Sequence, residues 1–194
     1  MVPMTGLHNV RNALAAIAVA ESRGVPFPAI AEGLATFAGV KRRMELRGVE
    51  RGVSVYDDFA HHPTAIAETL RGVRRAQPGA RIWAIFEPRS ASSCLRVFHD
   101  AFAGAFGDAD EVVFASVFRM NLPEEKRLSV TDLVRDLVAH GQHARHIPTT
   151  AAIVETVARE AREGDLVVVM SNGGFDDIHV RLLDALRAKS AGPA

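Results

Sequence analysis

Residues 166–170 read Leu166-Val167-Val168-Val169-Met170, and the polar stretch Ser171-Asn172-Gly173-Gly174 follows at once. The apolar run shows no alternation with polar residues, which is typical of a strand that is covered on both faces of its sheet. Residues 82–86 and 112–115 have the same character. Three such runs in one chain predict a sheet whose central strands are parallel and lie between two layers of helices.

Segments with apolar residues at every third or fourth position separate these runs, as amphipathic helices require. Because strands and helices alternate, we predict an α/β fold with an open, mostly parallel, doubly wound (Rossmann-like) sheet. Ile178, Leu182 and Leu186 form the last apolar stripe of the series. Helices are expected over residues 63–75, 92–106, 129–137, 150–161 and 178–186.

A hairpin and two helices precede this α/β pattern. Residues 46–49 and 53–56 alternate in polarity around Glu50-Arg51-Gly52, which predicts an N-terminal antiparallel hairpin. Residues 9–23 predict a helix that is buried on most sides. A shorter helix is expected to follow, with Pro28 in its first turn and its end before Gly39.

The composition changes near residues 39–41, and we interpret this change as a domain boundary. It divides the chain into a short helical segment (1–40), an α/β body (41–190) and a tail (191–194). Two helices cannot bury their own apolar faces, so the helical segment is expected to dock on the body or to belong to a further domain.

Composition and charge exclude several classes of protein. The 194 residues are 48% hydrophobic and 24% charged, which excludes disordered and fibrous classes. Lys plus Arg and Asp plus Glu both number 23, so no net positive charge attracts nucleic acid or anionic lipid. The longest apolar stretch, residues 13–20, is far shorter than the ~20 residues that span a bilayer. With a single cysteine, Cys94, no internal disulfide can form, and we expect a cytoplasmic protein.

Polar residues follow three of the predicted strands, at the edge of the sheet where such folds bind ligands. Asp57 offers two acceptor oxygens to a ribose diol, and His61 offers an imidazole beside a base. Arg89, placed between Pro88 and Ser90, offers a guanidinium to a carboxylate or phosphate. The alternatives are that these residues cap helices, and that Arg89 pairs with Glu87 at the surface.

Other motifs narrow the chemistry. The chain contains no G-x-x-x-x-G-K-[ST], no G-x-G-x-x-G and no G-x-S-x-G, so the sequence itself carries no P-loop for a triphosphate. His140, His143 and His146 have no neighbouring carboxylate or cysteine, and no metal site is expected there. The basic stretch Lys41-Arg42-Arg43 has no interleaved aromatic residues, which favours a solvated face or a single phosphate contact over nucleic-acid binding.

Three motifs stand out along the chain: Gly6-Leu7-His8-Asn9-Val10-Arg11-Asn12, Lys41-Arg42-Arg43-Met44-Glu45 and Tyr56-Asp57-Asp58-Phe59-Ala60-His61-His62-Pro63. In order and spacing they resemble the end of the central domain and the start of the C-terminal domain of the Mur ligase family. Two later segments, residues 87–90 and 171–179, most resemble the murein peptide ligases of that family. The resemblance covers residues 6–186.

The resemblance implies an ATP-dependent amide ligase that uses Mg²⁺. A carboxylate, that of UDP-N-acetylmuramate, is phosphorylated by ATP, and an amine then displaces phosphate from the acyl phosphate. The implied amine is the murein tripeptide L-Ala-γ-D-Glu-meso-diaminopimelate, recycled from the bacterial cell wall. The P-loop and most magnesium ligands belong to the central domain of such enzymes, so the 194 residues alone are expected to be inactive.

The resemblance also implies roles for single residues, none of them catalytic. Two departures from the family pattern lie on the implied substrate side: Ala91-Ser92-Ser93-Cys94 replaces residues with an amide and a cation, and Asp176-Asp177 replaces small residues. These leave open an alanine-adding ligase or a non-catalytic nucleotide- or peptide-binding module. The implied nucleotide-binding residues are His8, Asn9, Asn12, Arg43, Asp57 and His61, and the implied substrate-binding residues are Arg89, Ser90, Asn172 and His179.

Overall fold

The structure, a computed structural model, describes residues 7–118 and 121–190, and the side chains of residues 9–118 and 121–189. The predicted tail at 191–194 and the side chain of His8 lie outside this description. The strands are β1 (Glu45–Glu50), β2 (Val53–Asp58), β3 (Ile82–Phe86), β4 (Glu111–Phe114), β5 (Ala144–His146) and β6 (Leu166–Met170). The helices are α1 (Leu7–Ser22), α2 (Phe27–Ala35), α3 (Pro63–Ala76), α4 (His99–Ala103), α5 (Val130–Ala139), α6 (Thr150–Glu160) and α7 (Ile178–Ser190).

The six strands form one sheet in the order β1-β2-β6-β3-β4-β5. β1 and β2 are an antiparallel hairpin, and every other neighbouring pair is parallel. The hairpin turn places Arg51 and Gly52 at φ values of 54° and 70°, the left-handed pair that suits a two-residue turn. The predicted fold class and hairpin are therefore confirmed.

Helices cover both faces of the sheet. One core contains Ile66 and Leu70 of α3, Phe102 of α4 and Leu133 of α5. The other core contains Ile153 of α6 with the stripe from α7, Ile178, Leu182 and Leu186, all fully buried. Phe86 and Met170 face the first core, and Ile85 and Val169 face the second, as the pleat of a strand requires. This doubly wound arrangement leaves the carboxyl ends of β2, β6 and β3 side by side.

The segment expected as a helix over 92–106 is broken in the structure. Ser90 accepts a hydrogen bond at Oγ from the Ser93 amide at 2.9 Å and holds a turn there. Leu95 then forms an isolated bridge with Arg127, and one turn of 3₁₀ helix (Arg96–Phe98) leads into the short α4. The hydroxyl-rich sequence competes with the helix for backbone groups, so only the second half of the expected helix forms.

α1 forms where expected, but the expectation that it is buried on most sides is wrong. Val10, Leu14 and Val19 are 51%, 60% and 64% exposed. The main contacts of α1 are with α2 and α3, and they leave these apolar residues exposed. α2 ends at Ala35, before the predicted Gly39, and Ile30 is its buried residue.

None of the helices in residues 7–118 and 121–190 is both long enough and apolar enough to cross a membrane.

Candidate functional site

The three polar loops singled out in the sequence meet at one edge of the sheet. β6 lies between β2 and β3, so the residues that follow these strands are neighbours. Asp58 pairs in register with Met170, and Phe86 does so from the other side. We call the residues gathered here the edge cluster. It consists of Arg42, Asp57, Glu87, Arg89, Ser171, Gly173 and His179.

Glu87 and Ser171 form the buried floor of the edge cluster. Ser171 Oγ donates to Glu87 Oε2 at 2.6 Å, and the Gly173 amide donates to Ser171 Oγ at 2.9 Å. Arg89 lies 3.4 Å from the other Glu87 oxygen. The loops after β3 and β6 are thus joined by side chains, and the ion pair considered for Arg89 exists with a partner that is itself buried.

Arg42 connects the start of the body to the loop after β6. Its Nη2 donates to the Ser171 carbonyl at 2.7 Å and to the Gly173 carbonyl at 2.9 Å. Its Nε donates to both carboxylate oxygens of Asp57 at 3.2 and 3.3 Å. One guanidinium therefore fixes the end of β2 against a loop that lies 129 residues further along the chain.

Asp57 is a buried carboxylate that lies beside two basic side chains, Arg42 and His179. His179 Nε2 lies 3.4 Å from Asp57 Oδ1, within ion-pair distance. Burial acts to raise the pKa of Asp57, but the contact with His179 and then the Arg42 guanidinium outweigh burial, and the pKa is lowered. Asp57 is therefore ionised, and its carboxylate oxygens contact protein side chains.

Acid unfolding should depend on Asp57. Folding lowers the pKa of this carboxyl, so its charge stabilises the native state at pH values above the ordinary pKa of 3.8. This stabilisation is lost as the pH falls through the lower pKa of the folded state. We expect Asp57→Asn to be less stable than the wild type at neutral pH and to lose less stability on acidification. Thermal unfolding from about pH 6 down to about pH 3 measures both effects.

Asp58→Asn is the matched control for this titration. Burial raises the pKa of Asp58 above 3.8, against hydrogen bonds from the Ala60 and Met44 amides. A raised folded-state pKa favours the native state at low pH, so removing Asp58 should steepen the loss of stability on acidification. If the melting temperatures of the two variants fell with pH in the same way, the opposite pKa shifts given to Asp57 and Asp58 would be wrong.

Arg89 is held between an aromatic ring and a glycine. Its guanidinium lies over the Phe118 ring, 3.7 Å from the centroid, which is a cation–π contact. On its other side is Gly173, where a Cβ would fall 2.6 Å from Arg89 Cζ and closer still to Nε and Cδ. Gly173 is therefore required for the position of Arg89, and not for a special backbone angle.

A second site lies on the opposite face of β2, between the helical segment and α3. We call it the interface cavity, and its volume is about 710 Å³. Asn9 from α1, Arg43 from the segment just before β1 and Asp58 from β2 contribute to its lining. Asp58 Oδ2 accepts from the Met44 amide and its Oδ1 accepts from the Ala60 amide, both at 2.8 Å.

The structure brings some of the predicted nucleotide-binding residues together and separates others. Asn9 and Arg43 share the interface cavity, whereas Asp57 points to the other face of β2 and contacts His179. Asn12 is exposed on α1 and is not part of the cavity lining. His61 is bonded through Nδ1 to the Phe59 carbonyl at 2.9 Å.

The predicted substrate-binding residues lie nearer to one another. Arg89 and His179 belong to the edge cluster, and Asn172 lies in the loop that Arg42 fixes. Asn172 Oδ1 is buried and accepts no hydrogen bond from the described residues. Ser90 is buried and bonded within its own turn, with Oγ 2.8 Å from Ser93 Oγ. Of the two departures noted above, Asp176 faces α6, where its Oδ2 accepts from Thr150 Oγ1 at 2.9 Å.

No role was assigned from the sequence to five residues of these two sites, Arg42, Asp58, Glu87, Ser171 and Gly173. The alternation of β2 could have identified Asp58, since Tyr56 and Asp58 must share a face that Val55 and Asp57 do not. No local signal distinguishes Arg42 from Arg43.

Metal binding finds no support within the described part of the chain, where no group of three His, Cys, Asp or Glu side chains could hold an ion. His146, one of the three spaced histidines, instead lies 3.2 Å from Ser116 Oγ through Nε2.

Comparison with known proteins gives the family. A family model described as Mur ligase, glutamate ligase domain matches residues 42–173. The UDP-N-acetylmuramate–L-alanyl-γ-D-glutamyl-meso-2,6-diaminoheptandioate ligase of Escherichia coli is 40% identical over 188 residues, covering 96% of this chain and 39% of that protein. The UDP-N-acetylmuramate–L-alanine ligase of Rhizobium meliloti is 41% identical over 175 residues, covering 90% and 37%.

A solved structure is similar over the same region. The murein peptide ligase of Psychrobacter arcticus matches with a TM-score of 0.73 at 38% identity, covering 95% of this chain and 38% of that one. The chain thus spans about two fifths of the length of the relatives that it matches. With the matched segment covering most of the α/β body, the chain belongs to the Mur ligase family.

Proposed function

We propose that this chain is the C-terminal part of an ATP-dependent amide ligase of the bacterial cytoplasm. The ligase joins UDP-N-acetylmuramate to L-Ala-γ-D-Glu-meso-diaminopimelate through an acyl phosphate, in peptidoglycan recycling. The observation that carries the proposal is that two sites lie on either side of the end of β2, where Asp57 belongs to the edge cluster and Asp58 lines the interface cavity. The interface cavity suits a nucleotide, and the edge cluster presents Arg89 to an anionic peptide.

The interface cavity has the groups that a nucleotide needs. Arg43 supplies a cation for phosphate, and Asn9 supplies an amide for the edge of a base. Asp58 supplies a carboxylate at the wall of the cavity, whereas the sequence motifs pointed to its neighbour Asp57. ATP bound here would supply the phosphoryl group that activates the carboxylate substrate.

The edge cluster has the groups that orient an amine substrate. Arg89 offers donors to a peptide carboxylate, and its stacking on Phe118 fixes the direction of those donors. Asn172 Oδ1, a buried acceptor, suits an N–H of the same substrate. Arg42 and His179 position the surrounding loop through Asp57.

The chain alone is expected to be inactive. Phosphoryl transfer depends on an electrostatic cradle of backbone amides, cations and magnesium ligands around the phosphates. The sequence contains no P-loop, and the described residues contain no metal-binding group. We propose that a central domain supplies both, that residues 1–40 are the last helices of that domain, and that residues 41–190 form the C-terminal domain. The exposed apolar residues of α1 support this division.

An alanine-adding ligase is the alternative. The Rhizobium meliloti L-alanine ligase is as similar to this chain as the Escherichia coli tripeptide ligase is, at 41% and 40% identity. The third possibility, a non-catalytic binding module, predicts neither activity.

A chimera separates these functions. This chain replaces the matching 39% of the Escherichia coli ligase, and phosphate release is measured with ATP, UDP-N-acetylmuramate and either the tripeptide or L-alanine. We expect activity with the tripeptide only, and no activity from the chain alone. Preference for alanine would establish the alternative, and an inactive but folded chimera would support the binding module.

A further inference from the structure

A smaller pocket lies at the carboxyl ends of β4 and β5, apart from both sites described above. We call it the distal pocket. Its volume is about 250 Å³, and the proposed function leaves it unused. The side chains of its lining that matter here are those of Ser116, Val117, Glu124, Arg127 and His146.

The loop after β4 links the distal pocket to the edge cluster. The Phe118 amide donates to the Pro88 carbonyl at 2.9 Å, which joins the loop after β4 to the loop that carries Arg89. Phe118 packs under the Arg89 guanidinium, while the adjacent Val117 lines the distal pocket. A ligand that extends from Arg89 past Phe118 would run along this edge of the sheet towards the pocket.

The distal pocket is lined by side chains of opposite charge and by neutral polar side chains. Arg127 contributes a guanidinium, which also donates to the Leu122 carbonyl at 3.4 Å, and Glu124 contributes a carboxylate from a one-turn 3₁₀ helix. Burial lowers the pKa of His146, so its imidazole is neutral at pH 7 and pairs with the Ser116 hydroxyl. A cation, an anion and two neutral polar groups around one small space match a group that carries both an ammonium and a carboxylate.

We propose that the distal pocket binds the far, zwitterionic end of an extended peptide whose reacting amine lies at the edge cluster. This inference rests on the proposed ligase function and names the part of the substrate that the pocket recognises. Neighbouring strands lie about 4.8 Å apart, so β3 and β5 are separated by about 10 Å. Three extended residues span about 10 Å, whereas a single amino acid cannot reach both places.

Titration of the isotope-labelled chain, followed by NMR, tests the proposal. The ligands are L-Ala-γ-D-Glu-meso-diaminopimelate, the dipeptide L-Ala-γ-D-Glu and L-alanine. We expect the tripeptide to shift the amide signals of residues near Arg89 and those of Ser116, Arg127 and His146. The dipeptide should shift only the first group, because it ends before the pocket.

Two variants and a control give the affinities. Arg127→Gln and Glu124→Gln should each weaken tripeptide binding at least tenfold and leave dipeptide binding unchanged. Glu125→Gln is the control, because Glu125 is an exposed neighbour outside the pocket lining. The proposal for the distal pocket would be overturned by equal losses of affinity for both peptides, by unshifted pocket signals or by the absence of tripeptide binding. Only the folded, inactive chimera overturns the ligase function, so the two failures are distinguishable.

Discussion

Replacing Arg42 with methionine is expected to lower the free energy of unfolding by about 3 kcal/mol, in the range for removing one partner of a buried ion pair. Methionine keeps most of the length of the side chain and removes its charge. Asp57 then remains buried beside His179 alone, and the carbonyls of Ser171 and Gly173 lose their donor. A buried group without its hydrogen bond costs about 1–3 kcal/mol, so the expected loss is substantial even though Arg42 is partly exposed.

Arg43→Met is the matched control for this prediction. Arg43 is exposed, and its guanidinium lies 5.9 Å from the Phe59 ring centroid. Surface substitutions of this kind change stability by about 0.5 kcal/mol or less. Thermal unfolding of the chain, where 1 kcal/mol corresponds to about 2–4 °C at this size, resolves the difference. Equal melting temperatures for the two variants would show that Arg42 does not hold the loop.

Hydrogen exchange gives a second measurement on the same pair. The Gly173 amide bonds to Ser171 Oγ within the loop that Arg42 fixes. Its exchange should accelerate in Arg42→Met and remain unchanged in Arg43→Met, because local opening is governed by the contacts that close the loop.

The sequence does not distinguish Arg42 from Arg43. They are consecutive, carry the same charge and lie between α2 and β1, in a segment without hydrophobic periodicity. Their different roles depend on Ser171 and Gly173, which are brought to Arg42 by the sheet order β2-β6. Local sequence contains the alternation of strands and helices but not which strand lies beside which, so a contact across 129 residues was out of reach.

Other parts of the structure were within reach of the sequence. Apolar runs without alternation identified β3, β4 and β6, because burial on both faces leaves a one-dimensional pattern. The meeting of the loops after β2, β3 and β6 followed from the rule for open α/β sheets. The failed helix over 92–106 has a local cause as well, since its serines bond to the nearby backbone, but the bridge between Leu95 and Arg127 is again a distant contact.

Replacing Gly173 with alanine is expected to impair the amine site with little effect on stability. The new Cβ would overlap Arg89 Nε, Cδ and Cζ, all of them atoms of a flexible side chain. Arg89 can move away at low energetic cost, so the free energy of unfolding should change by less than about 1 kcal/mol. The guanidinium would leave the Phe118 ring, and the directed donors of the edge cluster would be lost.

Kinetics of the chimeric ligase test whether Gly173→Ala impairs the amine site alone. Misplacing a positioning group by about 1 Å can reduce activity by about 100-fold, so we expect the KM for the tripeptide to rise by about 10- to 100-fold. The KM for ATP should stay unchanged, because Gly173 is not part of the interface cavity lining. A parallel rise in both constants would indicate general damage to the fold and contradict the prediction.

Gly174→Ala is the control within the same loop. A Cβ at Gly174 would meet no atom within 4 Å, and its φ of −76° suits any residue, so this variant should behave as the wild type. Arg89→Ala should raise the tripeptide KM to a similar extent as Gly173→Ala, and the double variant should be no worse than Arg89→Ala alone. Such non-additivity is expected if Gly173 acts only by leaving space for the Arg89 side chain. Additive effects on KM would instead show that Gly173 has a separate role.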